Sequence, residues 1–243
     1  TPVRRIFAFA STVRASVYAD EGDTHRYWLR SVGTRSLSLF AIAAVPWFGS
    51  WSALLGNVLF LVSAGYLALL FRSWRKPVSN RQRWFVILFP LTVGVAIETV
   101  RQFNPDFGIR MLLLGSASIS ITAWELTELR KHIQNDREPM LRVITAVVFI
   151  QVMLSISSVV SSMLFTDRRI SYATENSSAS MYVIWATIGI HFIIYFFIAA
   201  YIYQRAFRAR LLAVREKNDV TRLLEERERL LASLIVSNRI ATT

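Results

Sequence analysis

Six apolar blocks divide the chain, at about 36–51, 52–71, 84–100, 109–124, 140–165 and 180–203, with short polar or turn-forming stretches between them. One helical crossing of a bilayer core needs about 20 such residues. In lipid every backbone N–H and C=O needs an internal partner, and a single segment supplies that only as a helix. The runs are too long and too continuously apolar to be barrel strands. The expected fold is therefore an all-α membrane protein, with a six-helix transmembrane bundle over 36–203. Composition agrees: 53% of the 243 residues are hydrophobic, and the mean hydropathy is +0.39.

The net charge is +12, from 28 Lys and Arg against 16 Asp and Glu. Its distribution assigns it to the lipid bilayer rather than to nucleic acid. Residues 1–35, the loops at 72–83 and 126–142, and the segment after block six carry 24 of the 28 basic residues; the opposite loops carry four, Arg101, Arg110, Arg168 and Arg169. Basic loops stay on the cytoplasmic side of a membrane, so both termini are expected there, and six crossings agree in parity. Residues 1–35 alternate Arg4, Arg5, Arg14, Arg26 and Arg30 with apolar side chains. They read as an amphipathic arm at the membrane surface or as a solvated extension. The absence of cysteine excludes disulfides, thiol nucleophiles and Cys-based metal or iron–sulfur sites.

Polar side chains within the blocks are the candidate binding residues, because such groups are costly in lipid and face a partner or a cavity. His191 in block six and Gln151 in block five sit at similar depth and are expected to meet. They form either a ligand site or a hydrogen bond that only holds helices together. Glu98 and Arg101, three apart near the end of block three, share a helix face; with Arg110 and Asp106 they form either a polar mouth for an anionic or zwitterionic ligand or an interfacial ion pair. The serines of blocks four and five read as packing faces. No metal site or cofactor is expected: no other block supplies a second His, and no lysine lies within a block for a Schiff base.

From Gln204 to Asn238 there is neither Pro nor Gly, and helix formers dominate. The segment 204–243 is expected to continue the sixth membrane helix as a cytoplasmic rod. Apolar residues recur at coiled-coil spacing in two registers. One uses Val220, Leu224, Leu231 and Leu234, the other Val220, Leu223, Leu230 and Leu234; both place Arg227 in the seam. The expected partner is a second copy, in a parallel homodimer.

The run from Leu223 through Glu225, Glu226, Arg227, Glu228, Arg229, Leu230 and Leu231 to Thr243 resembles the signalling helix of bacterial sensor histidine kinases, before their dimerisation domain. The resemblance covers roughly the last 20–35 residues. It implies the membrane sensor module of a two-component system in a bacterial inner membrane. A kinase output domain and a response regulator would follow beyond Thr243, and no catalytic residue would lie within these 243. The stimulus it implies is an unidentified small molecule or a membrane signal. Similar helices precede diguanylate cyclase domains, so a cyclase sensor stays open. A small transporter or membrane-enzyme subunit is the alternative of another class.

Overall fold

The computed structural model describes residues 24–103, 107–135, 138–165 and 178–241; at 107, 135, 158, 161–165, 178–188 and 232–241 only the backbone is described. Every regular element among the described residues is a helix: α1 over 24–43, α2 Val45–Phe48, α3 Ser50–Ser73, α4 Asn80–Phe103, α5 Phe107–Asn135, α6 Pro139–Phe165 and α7 Ser178–Ala241. The chain divides into two compact units, Thr1–Tyr195 and Phe196–Thr243. Five stretches among the described residues are long and apolar enough to cross a membrane: Ser50–Ser73, Asn80–Phe103, Gly108–Gln134, Pro139–Ser157 and Gly189–Leu231. They correspond to the second to sixth apolar blocks. The first block falls in α1 and α2, outside that set: α2 has four residues, and α1 carries Arg26, Arg30 and Arg35.

Local chemistry sets the helix ends. Pro46 occupies the first turn of α2, where its missing N–H is no loss. Gly49 then turns the chain at φ 64°, a conformation open to glycine without a Cβ penalty. α4 opens on a reciprocal cap: Gln82 Oε1 accepts from the Ser79 backbone N–H at 3.1 Å, and Ser79 Oγ accepts from the Gln82 N–H at 3.4 Å. Pro139 starts α6.

α3 is the core of the first unit. Leu67, Ala68, Leu69, Leu70 and Phe71 are consecutive and all buried, so this helix is covered on every side. It packs on α4 and α5, and α5 packs on α6. Small residues allow close approach. A Cβ on Gly65 would stand 2.7 Å from Val86, one on Gly94 would stand 2.6 Å from Val58, and one on Gly115 would collide with Val159.

α1 runs antiparallel along α3. Thr24 Oγ1 lies 3.1 Å from Ser73 Oγ. Ser31 Oγ donates to the Ser63 carbonyl at 2.9 Å while Ser63 Oγ donates back to the Ser31 carbonyl at 2.8 Å. Ser38 Oγ donates to the Gly56 carbonyl at 2.7 Å, and Ser52 Oγ donates to the Ala41 carbonyl. The Tyr195 hydroxyl joins the middle of this seam, 2.8 Å from Ser31 Oγ and 2.9 Å from Ser63 Oγ. The expected arm boundary at 35/36 therefore falls inside a helix. Residues 24–35 read as polar because side-chain hydropathy gives no credit for a serine whose hydroxyl bonds a neighbouring helix. Residues 1–23 of that arm lie outside the described residues, as do residues 166–177.

The glycines give a direct contrast. Gly115→Ala should lower the thermal midpoint in detergent by the equivalent of about 1–3 kcal/mol, the usual cost of overpacking. Gly33→Ala, with nothing within 4 Å of the added Cβ, should leave it unchanged or raise it by about 0.5–1 kcal/mol through helix propensity.

Candidate functional site: a polar layer inside the bundle

Buried positions along α1 are Tyr27, Ser31, Arg35, Ser38 and Ala41, spaced three or four apart. Arg35 is thus carried on the inward face of its helix, 7% exposed. Its guanidinium carbon lies 3.9 Å from the centroid of the Phe60 ring on α3, a cation–π contact strengthened by the absence of water. Nε and Nη1 of Arg35 are buried without a hydrogen-bond partner among the described residues.

α5 presents a similar stripe: Ser118, Thr122, Glu125, Leu129 and His132 are all buried at alternating four- and three-residue steps. Glu125 is completely enclosed, and neither carboxyl oxygen has a hydrogen-bond partner among the described residues. The charge that acts on it is Arg35. A buried ionised carboxyl is tolerated only when a partner or a proton compensates it.

The other face of Phe60's surroundings belongs to His191, whose ring meets Phe60 edge-on at 5.5 Å. His191 Nε2 lies 3.0 Å from Gln151 Nε2. As placed, the amide N–H donates to an unprotonated Nε2 and leaves Gln151 Oε1 unpartnered. Turning the amide over lets His191 Nε2–H donate to Oε1 instead, so the direction of the bond follows the imidazole tautomer. The sequence expectation that these two side chains meet describes their position. Arg35, Phe60, Gln151 and His191 therefore join four helices, with Glu125 of α5 facing Arg35 electrostatically.

A second cluster, with both carboxylate oxygens of its glutamate paired, lies three residues further along α5. Glu128 accepts from Arg72 Nη1 at 2.9 Å through one oxygen and from Arg75 Nη2 at 3.0 Å through the other. Its side chain is 3% exposed, against 24% and 19% for the two arginines. Trp74 closes over this end, 5.2 Å from Phe71 and 5.8 Å from His132 by ring centroids.

Glu98 and Arg101 do meet, in a two-point pair at 2.8 and 2.6 Å, and Gln102 Nε2 adds a bond to Glu98 at 3.2 Å. Asp106, expected beside them, lies outside the described residues. On α7, Val220, Leu224 and Leu231 are 50%, 56% and 55% exposed, and Leu223 and Leu230 each 64%; Arg227 is exposed as well. The Leu234 side chain lies outside the described residues. Arg222 and Glu226 form an ion pair at 3.2 Å on the same segment.

Sequence reading missed Arg35, Glu125 and Glu128. By sequence, Arg35 falls in the arm read as interfacial or solvated, and the two glutamates in the charged stretch after block four. The usable signal was the spacing: the stripe Ser118, Thr122, Glu125, Leu129, His132 keeps the period of one helix face straight through the charged region. Among the described residues, no three His, Asp or Glu side chains come together as metal ligands.

Comparison with protein-family descriptions, with characterised proteins and with solved structures gives no match in any of the three.

The two acidic sites should respond differently to removal of charge. Glu128→Gln leaves two partly buried guanidinium groups without a counter-charge and should destabilise by about 1–3 kcal/mol, between the cost of breaking an exposed pair and that of breaking a fully buried one because the arginines reach solvent. Glu98→Gln should cost less than about 1 kcal/mol. Thermal denaturation of both variants in the same detergent compares them; equal losses would contradict the burial argument.

Proposed function

We propose that this chain is the membrane sensor module of a two-component histidine kinase, working as a parallel homodimer that passes a signal from the bundle to an output domain beyond Thr243. The proposed setting is a bacterial inner membrane with both termini in the cytoplasm. A response regulator is the downstream partner in this reading.

The observation that carries it is α7. One helix, Ser178–Ala241, bears His191 of the polar layer and, further along, a stripe of large apolar side chains that are half or more exposed among the described residues. Exposed apolar residues at heptad spacing among charged neighbours are a coiled-coil surface awaiting a partner. The resemblance of 223–243 to a kinase signalling helix supplies the direction of output. The two registers, through Leu224 and Leu231 or through Leu223 and Leu230, give that helix two packings between which a sensor would choose.

Six crossings belong to the same reading, with α1 as the first. Its 20 residues measure about 30 Å, the thickness of a bilayer core. Its hydrogen bonds to α3 extend from Ser73 to Ser52, so a membrane that contains α3 contains α1 along the same length. Arg30 lies over the Tyr66 ring at 5.9 Å, and Arg83 lies over the Tyr27 ring at 5.9 Å. These contacts hold cations at one end of the α1–α3 pair.

Cross-linking tests the dimer. The chain has no native cysteine, so single cysteines at Leu224 and Leu231 report cleanly in native membranes. Each is expected to form disulfide-linked dimers several-fold more than Arg229→Cys, which lies away from the seam in both registers. Monomer alone at every position would overturn the proposed output mechanism.

A further inference from the structure

We propose that Glu125 and Arg35 form a proton-binding site within the bundle: Glu125 holds a proton while Arg35 rests on Phe60, and releases it when the guanidinium turns to pair with the carboxylate. The inference deepens the sensor reading by naming the proton as the ligand of the polar layer.

The geometry supplies both halves of the exchange. Glu125 is enclosed, and both its oxygens lack a hydrogen-bond donor. Arg35 is nine-tenths buried, and two of its nitrogens lack an acceptor. The unmatched donors and acceptors are complementary, and the two groups act on each other electrostatically, yet no hydrogen bond joins them. The guanidinium instead lies on Phe60 at 3.9 Å. In that arrangement the enclosed carboxyl is compensated only if neutral. In the alternative, the O–H bond of Glu125 breaks, the proton passes to solvent water, and the carboxylate takes Arg35 as its counter-ion.

Among the described residues, the charge that acts on Glu125 is that of Arg35. On α3 no ionisable side chain precedes Tyr66, and Arg72 and Arg75 are engaged by Glu128. α4 carries no charge between Arg83 and Glu98, and α6 none between Arg142 and Phe165. His191 of α7 is bonded to Gln151. On α5 itself, Glu128 is held by its two arginines, and His132 lies seven residues away beneath Trp74. Phe60 links the switch to the rest of the layer, because Arg35 and His191 contact the same ring. Movement of Arg35 off Phe60 therefore changes the surroundings of the one polar side chain that α7 contributes to the hydrogen bond with Gln151.

The test is infrared spectroscopy of the full chain in lipid, titrated with pH in H2O and D2O. The expected result is a narrow carboxylic-acid C=O band that titrates reversibly, shifts in D2O, disappears in Glu125→Gln and survives in Glu98→Gln. In Phe60→Leu, which removes the resting place of Arg35, the band should weaken at matched pH. In Arg35→Gln, which removes the counter-ion, it should persist through the titration. No titrating band in the unaltered protein, or a band indifferent to Glu125→Gln, overturns the proposal. If Glu125→Gln fails to fold, indifference of the band to both Arg35→Gln and Phe60→Leu overturns it. Disulfide formation at Leu224 and Leu231 does not depend on this proton, so a failed titration alongside an intact dimer removes this inference alone.

Discussion

The reciprocal hydrogen bonds between Ser31 and Ser63 fix how the first unit is assembled. Lipid offers a polar group no substitute partner, so a hydroxyl inside a bundle bonds a helix carbonyl or remains unsatisfied. Four such bonds, donated by Ser31, Ser63, Ser38 and Ser52, run along the α1–α3 pair, and a hydroxyl–hydroxyl contact between Thr24 and Ser73 extends them. They hold against α3 a helix that lies outside the five apolar spans. Their spacing also sets its rotation: with Ser31 and Ser38 turned to α3, Arg35 between them must face inward too. The buried charge on α1 follows from the serine seam.

That placement separates two kinds of acidic group only three residues apart on α5. Glu128 is bonded at both oxygens by Arg72 and Arg75, and its work is to tie α5 to the end of α3. Glu125 is more deeply enclosed and has no bonded partner. A carboxylate paired at both oxygens resists change, whereas complementary groups that share no hydrogen bond leave the interior with a second arrangement available. Sensing requires such a choice, since a ligand shifts an equilibrium only through unequal affinity for two states. In the proposed sensor reading, the polar layer is the part of the bundle that would receive a stimulus, and the Glu128 clamp the part that would hold still.

The sequence was most legible where apolar character and helix length coincide. Blocks two, three, five and six appear as α3, α4, α6 and the first part of α7 with ends displaced by only a few residues. Block four understated α5, because the helix continues through Glu125, Glu128 and His132, whose polarity resembles a loop while their spacing is that of a buried face. Glu98 and Arg101 were readable from their separation of three on a helix. Gln151 and His191 were readable from equal depth. Arg35 was not, since its environment is created by Phe60 on a partner helix and by Glu125 on α5, both distant in sequence. Serine hydroxyls, a phenylalanine face and an enclosed glutamate become an environment for a guanidinium only once α1 lies on α3.

The central claim is that α1 shares the membrane with α3, carrying Arg35 inside. Single cysteines at His25, Trp47 and Ser79, labelled in vesicles of known orientation with a membrane-impermeant maleimide, test it most directly. The account predicts that His25→Cys and Ser79→Cys react from one face and Trp47→Cys only from the other. Labelling of His25→Cys and Trp47→Cys from the same face would place α1 outside the bilayer and remove the buried site with it.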